Sequence, residues 1–243
     1  MPTMRQPTAL FIICGYGVPK DMTTDINYRS YLNIAFNSIY ATAGKDPVDI
    51  ILCGGPTNGT PPYELTEAHV MNTYMQTHLQ TIENYGQKLN WNVHLEERSL
   101  STLENLVYAK DLIQEKGLMG EITVFCEETR YQRNKTIGEI VFGSPIHVQS
   151  IDFDVSKNRY LDPALIEKKE LTATESDIWT LENQDRRSSH HAFYQAKIDW
   201  FREQEARGIP HVDVVQEWFT TKLWDLTKEL MPDHPLLKKE ETS

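Results

Sequence analysis

Two spacings of apolar residues alternate along the first part of the chain. Ala9-Leu-Phe-Ile-Ile-Cys14 and Val48-Asp-Ile-Ile-Leu-Cys53 are short and apolar at nearly every position. That is the pattern of strands covered on both faces of a parallel sheet. Trp91, Val93 and Leu95 instead alternate with Asn92, His94 and Glu96, the period of a strand with one packed face. Glu121–Cys126 and Ile146–Phe153 read as a fourth and a fifth strand. Between the strands the spacing lengthens to three and four. Tyr31, Ile34, Ala35, Phe36 and Ile39 mark a helix over 27–43. A second helix covers about 64–85, and Leu103, Leu106, Val107 and Leu112–Ile113 mark a third. A fourth ends near Phe142.

Strands that alternate with helices pack as a parallel sheet between two helical layers. The fold class is therefore α/β, a Rossmann-like open parallel sheet of five strands. The order 3-2-1-4-5 is expected, because the first two strands are apolar throughout, as central strands are, and the third alternates, as an edge does. The order 2-1-3-4-5 stays open and would carry the loop after the third strand closer to the switch point. Beyond residue 153 only helical spacings remain, broken near Pro163 and at Gly208-Ile209-Pro210. One stripe holds Phe193, Ala196–Lys197, Trp200 and Phe201; another holds Val212, Val215, Phe219, Leu223, Leu226 and Leu230. This gives an α/β domain over 1–153 and a helical extension over 154–243, packed on the domain because isolated helices of such length are marginal in water. Residues 1–7 read as a loose lead-in and Lys238–Ser243 as a frayed end.

In either strand order the loops at 15–18, 54–63, 96–102 and 127–133 open on one sheet edge, where ligands bind in such folds. Gly15-Tyr16-Gly17 follows the first strand and Gly54-Gly55 the second. Each is either a tight turn or a close approach of backbone to ligand. The first lacks the third glycine of a dinucleotide fingerprint. Ser101 fits a helix N-cap, with Glu104 placed to bond back to it. Capping does not require Glu96, Ser99 or Asn105, which leaves them as site candidates. Arg130 and Arg133, three apart at an exposed helix start, share a face. They form either an anion site with the free N–H groups there or a solvated basic pair.

These stretches resemble the YdcF/SanA/ElyC-like family. The resemblance rests on Glu96-x-x-Ser99-x-x-Thr102-x-x-Asn105, and on Gly54-Gly55 followed by Thr66-Glu67-Ala68-x-x-Met71. Arg130-x-x-Arg133 adds to it, standing where the family usually reads His-x-x-Arg. The family implies a Rossmann-like fold, a glycine-rich turn after the first strand, and a site built from these motifs, with Glu67 among its residues. Glu67 by itself is also the carboxylate that a helix's first turn favours. The arginine in place of histidine argues against proton transfer at 130.

A net charge of −11 argues against nucleic acid and against an anionic membrane surface as partners. It leaves room for a small anion held by local arginines. Relatives in the family are often membrane-anchored, whereas no apolar run here approaches a span and the start of the chain does not read as a secretory leader. A cytoplasmic protein is expected. Cys14, Cys53 and Cys126 end three strands; an odd number without a CxxC motif indicates buried reduced thiols rather than a metal site. There is no Gly-x-Ser-x-Gly elbow, Walker lysine or His-Glu-x-x-His. A serine mechanism at Ser99 or Ser101 would need a histidine, with His94 and His69 as candidates. Asp185–His191 reads as a solvated turn.

The leading expectation is a protein that binds a small nucleotide-like or phosphorylated ligand, with S-adenosylmethionine or another adenosine-containing molecule permitted by the fold. The expected binding residues are Gly15, Gly17, Gly54, Gly55, Glu67, Glu96, Ser99, Thr102, Asn105, Arg130 and Arg133. One alternative is a hydrolase or transferase on a phosphate- or carboxylate-bearing substrate, with Glu96 or Glu67 as base. Another is a non-catalytic scaffold whose aromatic tail forms an interface.

Overall fold

The computed structural model describes residues 9–19, 21–152 and 163–240. The expected lead-in, Phe153 and the last three residues of the chain lie outside them. Strands β1 (Ala9–Cys14), β2 (Val48–Cys53), β3 (Trp91–Glu96), β4 (Glu121–Glu127) and β5 (His147–Ile151) form one sheet. Its order is β3-β2-β1-β4-β5, and every pairing is parallel. The alternative order with β3 inside is thereby excluded. Every residue of β2 is buried, while β3 and β5 carry exposed positions, as the contrast between continuous and alternating runs requires.

The central strands split their side chains between two cores, because successive Cβ atoms point to opposite faces. Phe11, Ile13, Ile50 and Leu52 pack with Tyr31, Leu32, Ala35 and Ile39 of α1 (Ile26–Ala43) and with Ala68, Met71 and Met75 of α2 (Glu67–Asn84). Leu10, Ile12 and Ile51 pack with Leu103 and Leu106 of α3 (Thr102–Lys116) and with Ile137 and Val141 of α4 (Tyr131–Phe142). Ile12 is fully buried, so its truncation to alanine costs ~2–5 kcal/mol.

The tail comprises α5 (Pro163–Leu181), α6 (Gln184–Ala206), α7 (His211–Glu217), α8 (Leu223–Leu230) and α9 (Pro235–Glu240), with a π-helical turn at Trp218–Lys222 joining α7 to α8. It has a small core of its own around Phe193, Trp218, Leu226 and Met231. The stripe expected from Val212, Val215 and Phe219 is displaced. Val212 and Phe219 are 69% and 44% exposed, while Val214 and Trp218 are 2% and 3% exposed. The π turn carries an extra residue and shifts the inward face between α7 and α8. Asp185–His191 is no solvated turn either: it is the start of α6, capped by the Asn183 side chain. Among the described residues no helix is long and apolar enough to cross a membrane.

Candidate functional site

A cavity of about 540 Å3 lies between the carboxyl edge of the sheet and the tail. Parallel strands deliver their following loops to this edge, and the tail closes the opposite side with α5, α6 and the α7–α8 junction. Gly15, Gly17, Glu67, Ser99, Thr102, Asn105, Arg130 and Arg133 line it; Gly54, Gly55 and Glu96 do not.

The residues behind the wall hold its shape. Gly54 takes a φ of +153°, and a Cβ there would meet the Glu67 side chain at 2.5 Å. The Gly54 and Gly55 carbonyls accept the Ala68 and Glu67 N–H groups at 2.9 and 3.1 Å, and the Gly55 N–H donates to the Ser99 carbonyl at 2.7 Å. These glycines therefore bind α2 to the 96–101 loop. Glu96 accepts the Arg98 and Ser99 N–H groups at 2.7 and 3.1 Å. Its other oxygen has no partner among the described residues, and burial pushes its pKa up. The Ser99 hydroxyl donates to Asn105 Oδ1 at 2.6 Å, which joins loop to helix as a side chain in the first turn can.

Glu67 reaches the cavity from the first turn of α2. The Thr57 hydroxyl donates to it, and a Cβ on Gly15 would overlap its carboxylate, so glycine is what lets the carboxyl lie against β1. Burial raises its pKa, opposed by Thr57, the Gly17 N–H and Arg130. This carboxyl sits where a proton donor or acceptor would be useful.

The two arginines separate. Arg130 ends the 3-10 turn Glu128–Arg130. Its guanidinium stacks 4.5 Å from the Tyr16 ring centroid and donates to the Thr102 hydroxyl at 3.3 Å. Arg133 is not exposed as its helix-start position suggested: only 7% of it is. It donates to both oxygens of Asp177 at 2.7 and 3.2 Å, and to Glu170 at 3.4 Å. Burial pulls its pKa down, and these carboxylates outweigh that, so the guanidinium stays charged. Arg133 touches the cavity but is neutralised from the tail.

Ser101 caps α3 as expected, accepting the Glu104 N–H at 3.2 Å. Glu104 reaches one residue further back, to the Leu100 N–H at 2.7 Å. Ser101 also meets His190 Nε2 at 2.9 Å, a contact that resembles a nucleophile beside its base. The histidine is a poor base. Burial, then Arg133, His234 and His191, hold its pKa down to about 3. The pair is better read as a tie from the tail to α3, matched by His191 Nδ1 to Glu104 at 3.0 Å. The histidines anticipated for Ser99 or Ser101 lie elsewhere: His94 pairs with Asp49 at 2.9 Å, and His69 is exposed on α2.

The tail adds groups that were not among the expected binding residues, although Lys197, Phe201, Val215 and Phe219 stand in its apolar stripes. Lys169, Tyr194, Lys197, Phe201, Val215, Trp218 and Phe219 complete the wall. Lys197 Nζ lies 5.5, 6.0 and 5.4 Å from the ring centroids of Tyr194, Phe201 and Trp218. Among the described residues neither Arg130 nor Lys197 has a carboxylate partner. Burial, followed by Lys169, Arg130 and Arg133, brings the Lys197 amine down to about 8. The rings oppose that by ~0.5–1 kcal/mol, being near the ~6 Å limit of a cation–π contact.

The thiols stand behind the site. Cys14, Cys53 and Cys126 are buried and free, and burial pushes Cys14 up to about 12. Compared with models of known protein families, with curated proteins and with solved structures, the chain matches none.

Proposed function

We propose that the chain binds a small anionic ligand, phosphorylated or nucleotide-like, in the cavity between sheet and tail. The carrying observation is a pair of cations, Arg130 and Lys197, set into one cavity without carboxylate partners among the described residues, in a chain of net charge −11. Positive charge in a concave site is costly unless an anion completes it, and the Glu67 carboxyl, which feels Arg130 without pairing to it, does so only in part. Trp218, Phe219 and Tyr16 offer flat apolar surface for a base or ring, and the Ser101 and Thr102 hydroxyls offer polar contacts. The motifs that resemble the YdcF/SanA/ElyC-like pattern fall on the same edge, which supports the reading. S-adenosylmethionine suits this charge less well, since its sulfonium is positive. Enzymatic turnover is a second reading, favoured by Glu67, whose raised pKa at the cavity wall suits a general acid or base. The net charge of −11 supports a protein that engages neither nucleic acid nor anionic membrane, and the free, buried thiols support a cytoplasmic one.

Thermal-shift and calorimetric titration with ADP, a sugar phosphate and adenosine test the proposal. The phosphorylated compounds should raise the Tm and adenosine should not. Arg130→Ala should weaken binding by about one to two powers of ten, the equivalent of losing a charge-assisted contact of ~1.5–3 kcal/mol. The proposal fails if no phosphorylated compound shifts the parent, or if Arg130→Ala binds as the parent does.

A further inference from the structure

Lys197 is distinguished from the other lysine on the cavity wall by its surroundings. The Lys169 amine is 3.8 Å from Glu170, on a side chain 53% exposed. Lys197 has no carboxylate among the described residues and stands among the rings of Tyr194, Phe201 and Trp218. A lysine kept only as a fixed charge would gain from an acidic partner or from water. Here burial and the neighbouring cations oppose its charged form by more than the rings favour it, which is how a lysine is made nucleophilic.

Resting on the anionic-ligand reading, we infer that Lys197 is a reactive amine that forms an imine with an anionic aldehyde or ketone bound in this cavity. In that step the amine lone pair attacks the carbonyl carbon, forming a C–N bond while the C=O π pair moves to oxygen. Both amine hydrogens leave with that oxygen as water, and a C=N bond remains; no oxidant or reductant is needed. Arg130, on the sheet side of the same cavity, holds the anionic group of the substrate. With the amine at about 8, about a quarter of it is neutral at pH 7.5, against about one part in a thousand for an exposed lysine. The substrate class is a phosphorylated or carboxylated aldehyde or ketone.

The test incubates the full chain with pyridoxal 5′-phosphate, reduces with borohydride and maps the adducts by mass spectrometry. Lys197 should label at least tenfold faster than Lys169 or the surface lysines. Pyridoxine 5′-phosphate, which lacks the carbonyl, should protect it and raise the Tm. Lys197→Arg should abolish the adduct while keeping the Tm shift by pyridoxine 5′-phosphate, which shows the variant is folded and still binds. If pyridoxine 5′-phosphate shifts the Tm but Lys197 labels no faster than the surface lysines, the reactive amine is wrong and the anion site stands. If pyridoxine 5′-phosphate neither shifts nor protects, the anionic substrate is wrong with or without an adduct on Lys197.

Discussion

Arg133 shows how one residue changes meaning once its partners are known. A guanidinium at a helix start reads as expendable, yet this one neutralises Asp177, itself 1% exposed. Removing it leaves a buried carboxylate unpaired, so Arg133→Ala should cost ~3–5 kcal/mol. Arg130→Ala should cost little, since its contacts are the Tyr16 ring and one long bond to Thr102. Urea denaturation of both variants checks this, and equal midpoints would show that the Arg133 network contributes nothing. The residue type at 133 was legible in the motif. Its role was not, because its partners come 37 and 44 positions later and no local period links them. Lys197 was half visible, as a lysine lying within an apolar stripe beside Trp200 and Phe201. His190 gave no signal at all: it sits in a run of polar residues and is 3% exposed only because α6 docks there.

Elements explain why the sheet was readable and the tail less so. Each strand carries its own period and pairs with neighbours of the same kind, so order and burial follow from local runs. The tail's inward face depends on a π turn that no spacing announces. Its longest helix, α6, also acts as a clamp. Arg202 donates to the carbonyls of Pro56, Asn58 and Tyr63 at 2.7, 2.9 and 3.0 Å, and its guanidinium lies 4.8 Å from the Tyr63 ring centroid. The loop so held supplies Thr57 and Gly59 to the cavity. Arg202→Ala should free those carbonyls to water and cost ~1–2 kcal/mol, fewer than the bonds suggest because the carbonyls can be rehydrated. Hydrogen exchange should rise within residues 56–63 and barely change in β1 or β2. Unaltered exchange in that loop would show that α6 does not hold it.

On the scale of the molecule, the site exists only while the tail is docked, and two histidines kept neutral support that state, His190 by tying the tail to α3 and His234 by holding the tail's own helices together. His190 meets Ser101, and His234 meets Ser176 at 2.8 Å and packs on Trp179. Burial lowers their pKa values to about 3 and about 4. Both lie below the unfolded value, so the unfolded chain binds more protons as pH falls. Their contribution is complete above about pH 6.5 and shrinks below it, reaching a loss of ~2 kcal/mol per histidine at pH 5. Glu104 and Asp177 work in the opposite direction, since burial raises their pKa values and the native state takes up protons first. As pH falls through their raised native values these two carboxyls regain stability, which offsets part of what the histidines lose. Acid should therefore release the tail before it disrupts the sheet. Trp179, Trp200, Trp218 and Trp224 lie in the tail and Trp91 in β3, so tryptophan emission should shift to the red while β-sheet circular dichroism persists. His190→Gln, which retains a hydrogen-bonding amide but cannot charge, should move that emission midpoint to lower pH. If the parent and His190→Gln lose tail fluorescence at the same pH, protonation of His190 is not what loosens the tail.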